Sequence, residues 1–178
     1  LEPLVIEEYP GSSCNSSVVF QSESLDSSKV TITNLGIDAH TVTISGADGL
    51  TFRHLTIESV NPAYRRVIEY NGNADCNTFE NNHLKGYEGT SGSAIYAVVY
   101  SNTSADYGNL FQYNLITHGS YSFYIVGGDQ VLSGTIIRNN RLDNPYAKGV
   151  GAVNEDGIIV ESNVILNELT SDFQGIYL

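Results

Sequence analysis

Three sets of side chains in this chain have the types and spacing to do chemistry. The first is carboxylate: Asp48, Asp75 and Asp156 hold one recurring position, with Asp106 one residue early. A column of hard oxygen ligands could take Ca²⁺. The Asp-Gly pairs at 48–49 and 156–157 read equally well as Asx-type turns leading into strands. The second set is Tyr96, Tyr124 and Tyr177 with the acidic Glu69, which the pattern described below places along one outward face. A flat aromatic strip beside an acid suits a sugar ring, whose C–H face packs on a π system. The same residues also read as cross-strand aromatic packing, which stabilises any sheet. The third set, His40, His54, His83 and His118, shares no common position and shows no metal-ligand spacing, so it reads as solvated surface histidines. No Ser–His–Asp set, phosphate-binding loop or dinucleotide fingerprint occurs.

Composition bounds what these residues could act on. Twenty acidic residues against eight Lys and Arg give a formal charge of −12 over 178 residues. Nucleic acid and anionic membranes both need a basic footprint, so neither is an expected partner. No apolar run approaches the length that spans a bilayer. The length fits a single domain over residues 1–178. A start at Leu1 without a signal peptide reads as a mature fragment or an excised piece of a longer protein. Cys14 and Cys76 leave two readings open, a single bridge or two small buried hydrophobes.

The elements that position these residues come from an internal repeat. Five ten-residue segments align without gaps, beginning at Asp48, Asp75, Tyr107, Ser133 and Asp156. Their fifth position is always large and apolar (Phe52, Phe79, Phe111, Ile137, Val160) and their tenth always aliphatic (Ile57, Leu84, Ile116, Leu142, Ile165). The eighth is Asn in four copies, Asn82, Asn114, Asn140 and Asn163, with Leu55 in the first. A second series of short strands lies between, with expected inward residues Ile68, Ile95, Phe123, Val150 and Ile176. Alternation then sends Glu69, Tyr96, Tyr124, Gly151 and Tyr177 outward. All of these strands have period 2 and break at Gly, Asn and Asp; no segment sustains a helical period.

Two interleaved series with one period mean one supersecondary unit stacked on itself. The expected fold is all-β, a single-stranded right-handed parallel β-helix of about six coils with an open carboxy-terminal end. An Asn at one fixed place per coil forms a ladder, its amide bonding the Asn above and below and satisfying backbone groups freed at a bend.

Asn81-Asn-His-Leu84, Arg138-Asn-Asn-Arg-Leu142 and Glu161-Ser-Asn-Val-Ile165 resemble the repeats of right-handed parallel β-helix proteins, a group that includes pectate lyases, polygalacturonases and alginate lyases. The run from Leu4 to Ile57 is similar to the opening coils of β-helix regions in large secreted proteins of the Bacteroidetes. The resemblance implies a secreted or cell-surface location and, because the fold hosts many activities, says little about function. Lyases of this group use Ca²⁺ and a basic residue that removes the proton α to a uronate carboxylate. The residues here that could play that part are Lys85, Arg138, Arg141 and Lys148. The pattern sets Arg53 over Glu80 and Arg138 over Glu161, and an arginine already paired with Glu is a poor general base. The Asn-Thr-Asp, Asp-Asp, Gly-His-Gly and Arg-Ile-Lys motifs of the group's inverting hydrolases are missing.

The resulting expectation is a non-catalytic extracellular scaffold with no required cofactor. It binds a polysaccharide or surface glycan through the outward tyrosines and the loops at 85–92 and 143–149. A Ca²⁺-dependent polysaccharide lyase is the first alternative. The second is a structural spacer or assembly segment whose uncapped ends self-associate.

Overall fold

The computed structural model describes residues 3–15, 17–34, 39–60, 62, 66–101, 106–127 and 134–178. Of the positions read from the sequence, Ser133 lies outside the described residues. Strands β1 (Leu4–Glu7), β2 (Val18–Gln21) and β3 (Thr31–Asn34) make the first coil, and β4 (His40–Ser45), β5 (Leu50–Arg53) and β6 (Thr56–Ser59) the second. The third has β7 (Arg66–Asn71), β8 (Thr78–Glu80) and β9 (His83–Lys85), and the fourth β10 (Val99–Ser101), β11 (Leu110–Gln112) and β12 (Leu115–Thr117). The fifth has β13 (Tyr121–Val126), β14 (Ile136–Arg138) and β15 (Arg141–Asp143). In the sixth are β16 (Lys148–Val153), β17 (Ile159–Glu161) and β18 (Val164–Leu166), after which β19 (Gln174–Tyr177) follows. Each coil gives one strand to each of three parallel sheets: A (β1-β4-β7-β10-β13-β16-β19), B (β2-β5-β8-β11-β14-β17) and C (β3-β6-β9-β12-β15-β18). The chain is a parallel β-solenoid. No described helix is long and apolar enough to cross a membrane.

The repeat alignment is the register of the stack. Phe52, Phe79, Phe111, Ile137 and Val160 are direct partners in sheet B, and Ile57, Leu84, Ile116, Leu142 and Ile165 in sheet C. Strands about 4.8 Å apart bring like side chains into contact. Phe20, Phe52, Phe79 and Phe111 stack in series with ring centroids 4.7–5.2 Å apart. Offset aromatic pairs of this kind contribute about 0.5–1.5 kcal/mol each beyond the area they bury.

Each ten-residue segment is two five-residue halves built alike. The second position (Gly49, Cys76, Gly108, Gly134, Gly157) and the seventh (His54, Asn81, Tyr113, Asn139, Ser162) all have φ between 54° and 80°. That left-handed residue turns the chain, the next residue lies in the corner, and a short strand follows. The corner residue is where the asparagines stand, and there are two ladders. Asn82 Nδ2 donates to the Phe52 carbonyl while its Oδ1 accepts from the Leu55 N–H. Asn114, Asn140 and Asn163 repeat this one coil further on each time. Direct amide–amide bonds join Asn114 to Asn140 and Asn140 to Asn163, both at 3.0 Å. The second ladder, at the corner before sheet B, is Asn77 and Asn109: Nδ2 of each donates to the carbonyl of Ala47 or Ala74, and Oδ1 accepts from Leu50 or Asn77 N–H.

One strand departs from the expected register. Ile95 is not the inward residue of its coil. Val99 is, pairing Ile68 on one side and Phe123 on the other. Ala94–Tyr96 forms a 3₁₀ turn whose N-terminus is capped by Ser93, and Ile95 is exposed. The turn lengthens this coil, so the residue at the expected spacing falls before the strand.

Cys14 and Cys76 form a disulfide, with Cα atoms 5.2 Å apart. Cys14 follows sheet A in the first coil and Cys76 follows it in the third. The loop carrying Cys14 therefore drapes across the second coil. Ser12 Oγ accepts from Asp48 N–H at 2.6 Å, and Tyr9 Oη donates to the Asp48 carbonyl at 3.2 Å.

Candidate functional site

The outward face of sheet A carries a column of aromatic and charged side chains. Its central column runs Thr43, Glu69, Tyr100, Tyr124, Gly151, Tyr177. Tyr100, not Tyr96, fills the fourth coil's place, for the register reason above. Tyr96 instead ends the 3₁₀ turn beside sheet A, where its carbonyl accepts from Ser120 N–H.

Charge and aromatic groups interlock along this column. Arg66 Nη1 lies 2.9 Å from Glu69 Oε1, and Arg66 Cζ stands 3.4 Å above the Tyr100 ring. His40 Nδ1 lies 3.2 Å from Glu69 Oε2, off the line of a hydrogen bond. Tyr100 and Tyr124 stack at 5.6 Å with planes 13° apart, and Tyr121 meets Tyr124 edge-on at 5.1 Å. Tyr121 also leans over Gly151: a Cβ there would stand 3.1 Å from its ring carbons. The gap in the tyrosine column is thus filled from the neighbouring column. Lys148 Nζ stands 3.5 Å from the Tyr177 ring centroid. Cation–π pairs contribute about 0.5–1 kcal/mol at exposed sites. Tyr100, with Arg66 over it and Tyr124 stacked on it, and Tyr177, with Lys148 over it, have ring faces engaged by neighbours. The band therefore offers ring edges and ionic groups, more than open aromatic faces.

Glu69 is partly buried, and burial raises its pKa. The close polar contact with His40, the hydrogen bond from Arg66 and the charge of both outweigh that, and the net shift is downward. Its folded pKa is then below the unfolded value, so its stabilising contribution is complete above the ordinary glutamate range, about 4.3, and is lost as pH falls through the folded pKa. Asp75 runs the other way. Burial pushes it up, the Tyr107 N–H lowers it, and the neighbouring Asp48 charge raises it, for a net rise. Its protonation favours the fold as pH falls. Comparing acid unfolding of the native protein with Glu69→Gln separates the two. The stability gap between them should hold level down to the ordinary glutamate range and narrow below it; a gap that stays constant to about pH 3 would mean that Glu69 carries no such linkage.

The other sequence candidates are spread over different faces. Arg138 lies on the outward side of sheet B, opposite Glu161 in register, but its guanidinium donates to Gln112 Oε1 at 2.9 and 3.1 Å. Arg53 does reach Glu80, at 3.8 Å, and also donates to Gln21. On sheet C, Arg141 bonds Asp143 at 2.8 Å and Lys85 lies 3.5 Å from Glu58. Lys148 is on sheet A. The four basic residues thus occupy three faces and do not converge.

His83 also lies on sheet C, hydrogen-bonded to Thr117 at 3.0 Å. Burial lowers its pKa first and Lys85 further; Glu58 opposes and His118 adds to the fall. His40 and His83 are therefore half-buried members of side-chain clusters rather than solvated groups.

The aspartate column serves the backbone. Asp48 Oδ1 accepts from Asp75 N–H at 2.8 Å, Asp75 Oδ1 from Tyr107 N–H at 2.7 Å, and Asp106 Oδ1 from Ala74 N–H at 3.1 Å. Asp156 is exposed at the corresponding turn. Among the described residues, no three His, Cys, Asp or Glu groups gather as metal ligands.

The loops flanking sheet A are more fixed than their glycines suggest. Gly86 N–H donates to the Thr117 carbonyl at 2.8 Å, and a Cβ on Gly86 would meet Gly119 N and Val98 Cγ2 at 2.8 Å. This glycine allows close packing. Tyr146 and Ala147, from the loop at 143–149, donate backbone bonds to Gly119 and Ser120.

No family model, curated protein or solved structure matches this chain. What the chain does must be argued from its own geometry.

Proposed function

We propose that this solenoid is a non-catalytic extracellular binding scaffold, and that the outward face of sheet A takes a polysaccharide or surface glycan. One observation carries the reading: Glu69, Arg66, Tyr100, Tyr124, Tyr121, Tyr177 and Lys148 form a continuous band across successive coils of one rigid sheet. Stacked strands repeat at about 4.8 Å, close to the length of one hexose. A chain of sugars lying along the column meets phenol hydroxyls, a carboxylate and cationic groups in turn. The engaged ring faces shift the emphasis from ring-face stacking to hydrogen bonds along the edges. The Cys14–Cys76 bridge favours an oxidising compartment, in keeping with a secreted or surface location.

The test is depletion of the protein onto pectate, alginate, chondroitin, xylan and cellulose, with and without Ca²⁺, while following the ultraviolet absorbance of unsaturated uronates. Binding to at least one glycan should fall by tenfold or more in the Tyr100→Ala/Tyr124→Ala variant. Unchanged binding in that variant would move the site off sheet A. Rising absorbance would make the protein a Ca²⁺-dependent lyase of the pectate-lyase-like kind.

A second reading, an assembly or spacer segment, is favoured by the apolar side chains exposed on the last strands: Ile159, Val164, Leu166 and Ile176 are each 43–51% exposed. Stacking a second copy there would cover them and pair open strand edges. Mass measured against protein concentration tests it: a constant monomer mass sinks the end-to-end association.

A further inference from the structure

Tyr70 carries a phenol hydroxyl into the hydrophobic core cluster. Tyr70, an inward residue of β7, points its ring edge-on to Phe79 and Phe111, at centroid distances of 6.5 and 6.1 Å. Its side chain is 3% exposed, and its hydroxyl has no hydrogen-bond partner among the described residues. Leaving a buried hydroxyl unpaired carries a substantial desolvation cost. Tyr70 lines a small cavity of about 10 Å³, together with Ser101, Asp106, Thr135, Phe111 and Ile125. That is roughly the room one water centre needs. The polar groups around it are all buried: Ser101 5%, Asp106 7%, Thr135 3%. Asp106 already accepts from Ala74 N–H and from Ser101 Oγ. A carboxylate offers about four acceptor positions, and Asp106 is the charged acceptor in this lining.

We propose that this cavity is a binding site for one internal water, which accepts from Tyr70 Oη and donates to the Asp106 carboxylate. The water joins β7 of the third coil to the connection that follows β10 in the fourth. Thr135 of the fifth coil is within the same lining, so the cavity touches three layers of the stack. The direction of the bond follows from the charges. Burial, and then the nearby Asp106, push the Tyr70 phenol well above its usual pKa, so it stays a neutral donor. A water held by two to four polar groups is a stable part of a fold, whereas a cavity lined only by carbon stays dry.

Two measurements test this together. Tyr70→Phe keeps the ring and removes only the hydroxyl. If a water satisfies that hydroxyl, the variant's folding equilibrium constant should fall about fivefold. An unsatisfied hydroxyl gives the opposite sign, because its removal relieves a buried polar group; an equal or greater stability in the variant overturns the proposal. A crystal structure of the unaltered protein at a resolution that shows ordered water should place one density peak within hydrogen-bond reach of both Tyr70 Oη and Asp106. Absence of that peak, or a direct bond from Tyr70 Oη to a protein atom, overturns it even if stability falls.

Discussion

Asn114→Ala is expected to cost about 2–6 kcal/mol of folding stability, out of proportion to the few atoms removed. The substitution orphans two buried backbone groups, the Asn82 N–H and the Phe79 carbonyl, which Asn114 now satisfies at 3.0 and 2.9 Å. Each buried group left without a partner costs about 1–3 kcal/mol. Both lie in a corner packed between coils, where no repacking of the strands can bring another donor or acceptor. Asn163→Ala removes the same pair of contacts, to Asn140 N–H and the Ile137 carbonyl, at the last coil. Asn163 is only partly buried, so water can replace what it loses. Urea denaturation of both variants reads the contrast: Asn114→Ala should cost at least twice as much. Equal losses would mean that the ladder stabilises locally, without regard to burial.

Opening the Cys14–Cys76 bridge is the second large effect. The bridge closes a separation of 62 residues, for which the chain-entropy estimate is about 4 kcal/mol. The geometry adds a prediction about place. The bridge fixes the loop that covers the second coil, and β1 and β2 are held on one side only, by β4 and β5. In the Cys14→Ser/Cys76→Ser protein, amide exchange should accelerate most in β1 and β2, while β11, β12, β14 and β15 keep their protection. Uniform acceleration along the chain would show that the bridge acts on the unfolded state alone. A loss below about 1 kcal/mol would show that the Ser12 and Tyr9 contacts hold the loop without it.

Much of the fold is legible in the residues because each coil repeats the previous one. Phe52 over Phe79 and Ile57 over Leu84 follow directly from a gapless alignment, since a parallel stack puts equivalent positions in contact. The alignment reached one ladder and missed the other. Asn77 and Asn109 stand five residues before Asn82 and Asn114, but Leu50, Thr135 and Ile158 replace Asn in the remaining copies, and the smaller five-residue unit was hidden by that substitution. The site was harder. Spacing alone favoured Ile95 and Tyr96 over Val99 and Tyr100. The β-branched pair Val98-Val99 was the available signal, against a candidate that directly follows a Gly- and Ser-rich loop. Arg66, His40 and Tyr121 carried no signal, because their contribution depends on which neighbour each leans toward across the face. The disulfide is one of two readings the sequence leaves open: its two cysteines belong to coils that are not adjacent, and only a loop crossing the coil between them brings them together.

The five-residue halves have a consequence for how such a protein can change. From Phe52, Phe79, Phe111, Ile137 and Val160 to the aliphatic residue of the following sheet C strand the distance is always five residues, while the coils themselves recur at 27, 32, 26 and 23. From the second coil to the sixth, variation in length is therefore confined to the stretches on either side of sheet A; in the first coil the Ser27–Lys29 turn separates Phe20 and Ile32, the partners of Phe52 and Ile57. One flank of the molecule behaves as a fixed-pitch spine, where a single inserted residue would throw both ladders out of phase. The other tolerates additions without disturbing the stack, as the Ala94–Tyr96 turn already shows. New specificity can be grafted beside the tyrosine face coil by coil, leaving the frame that carries it unaltered.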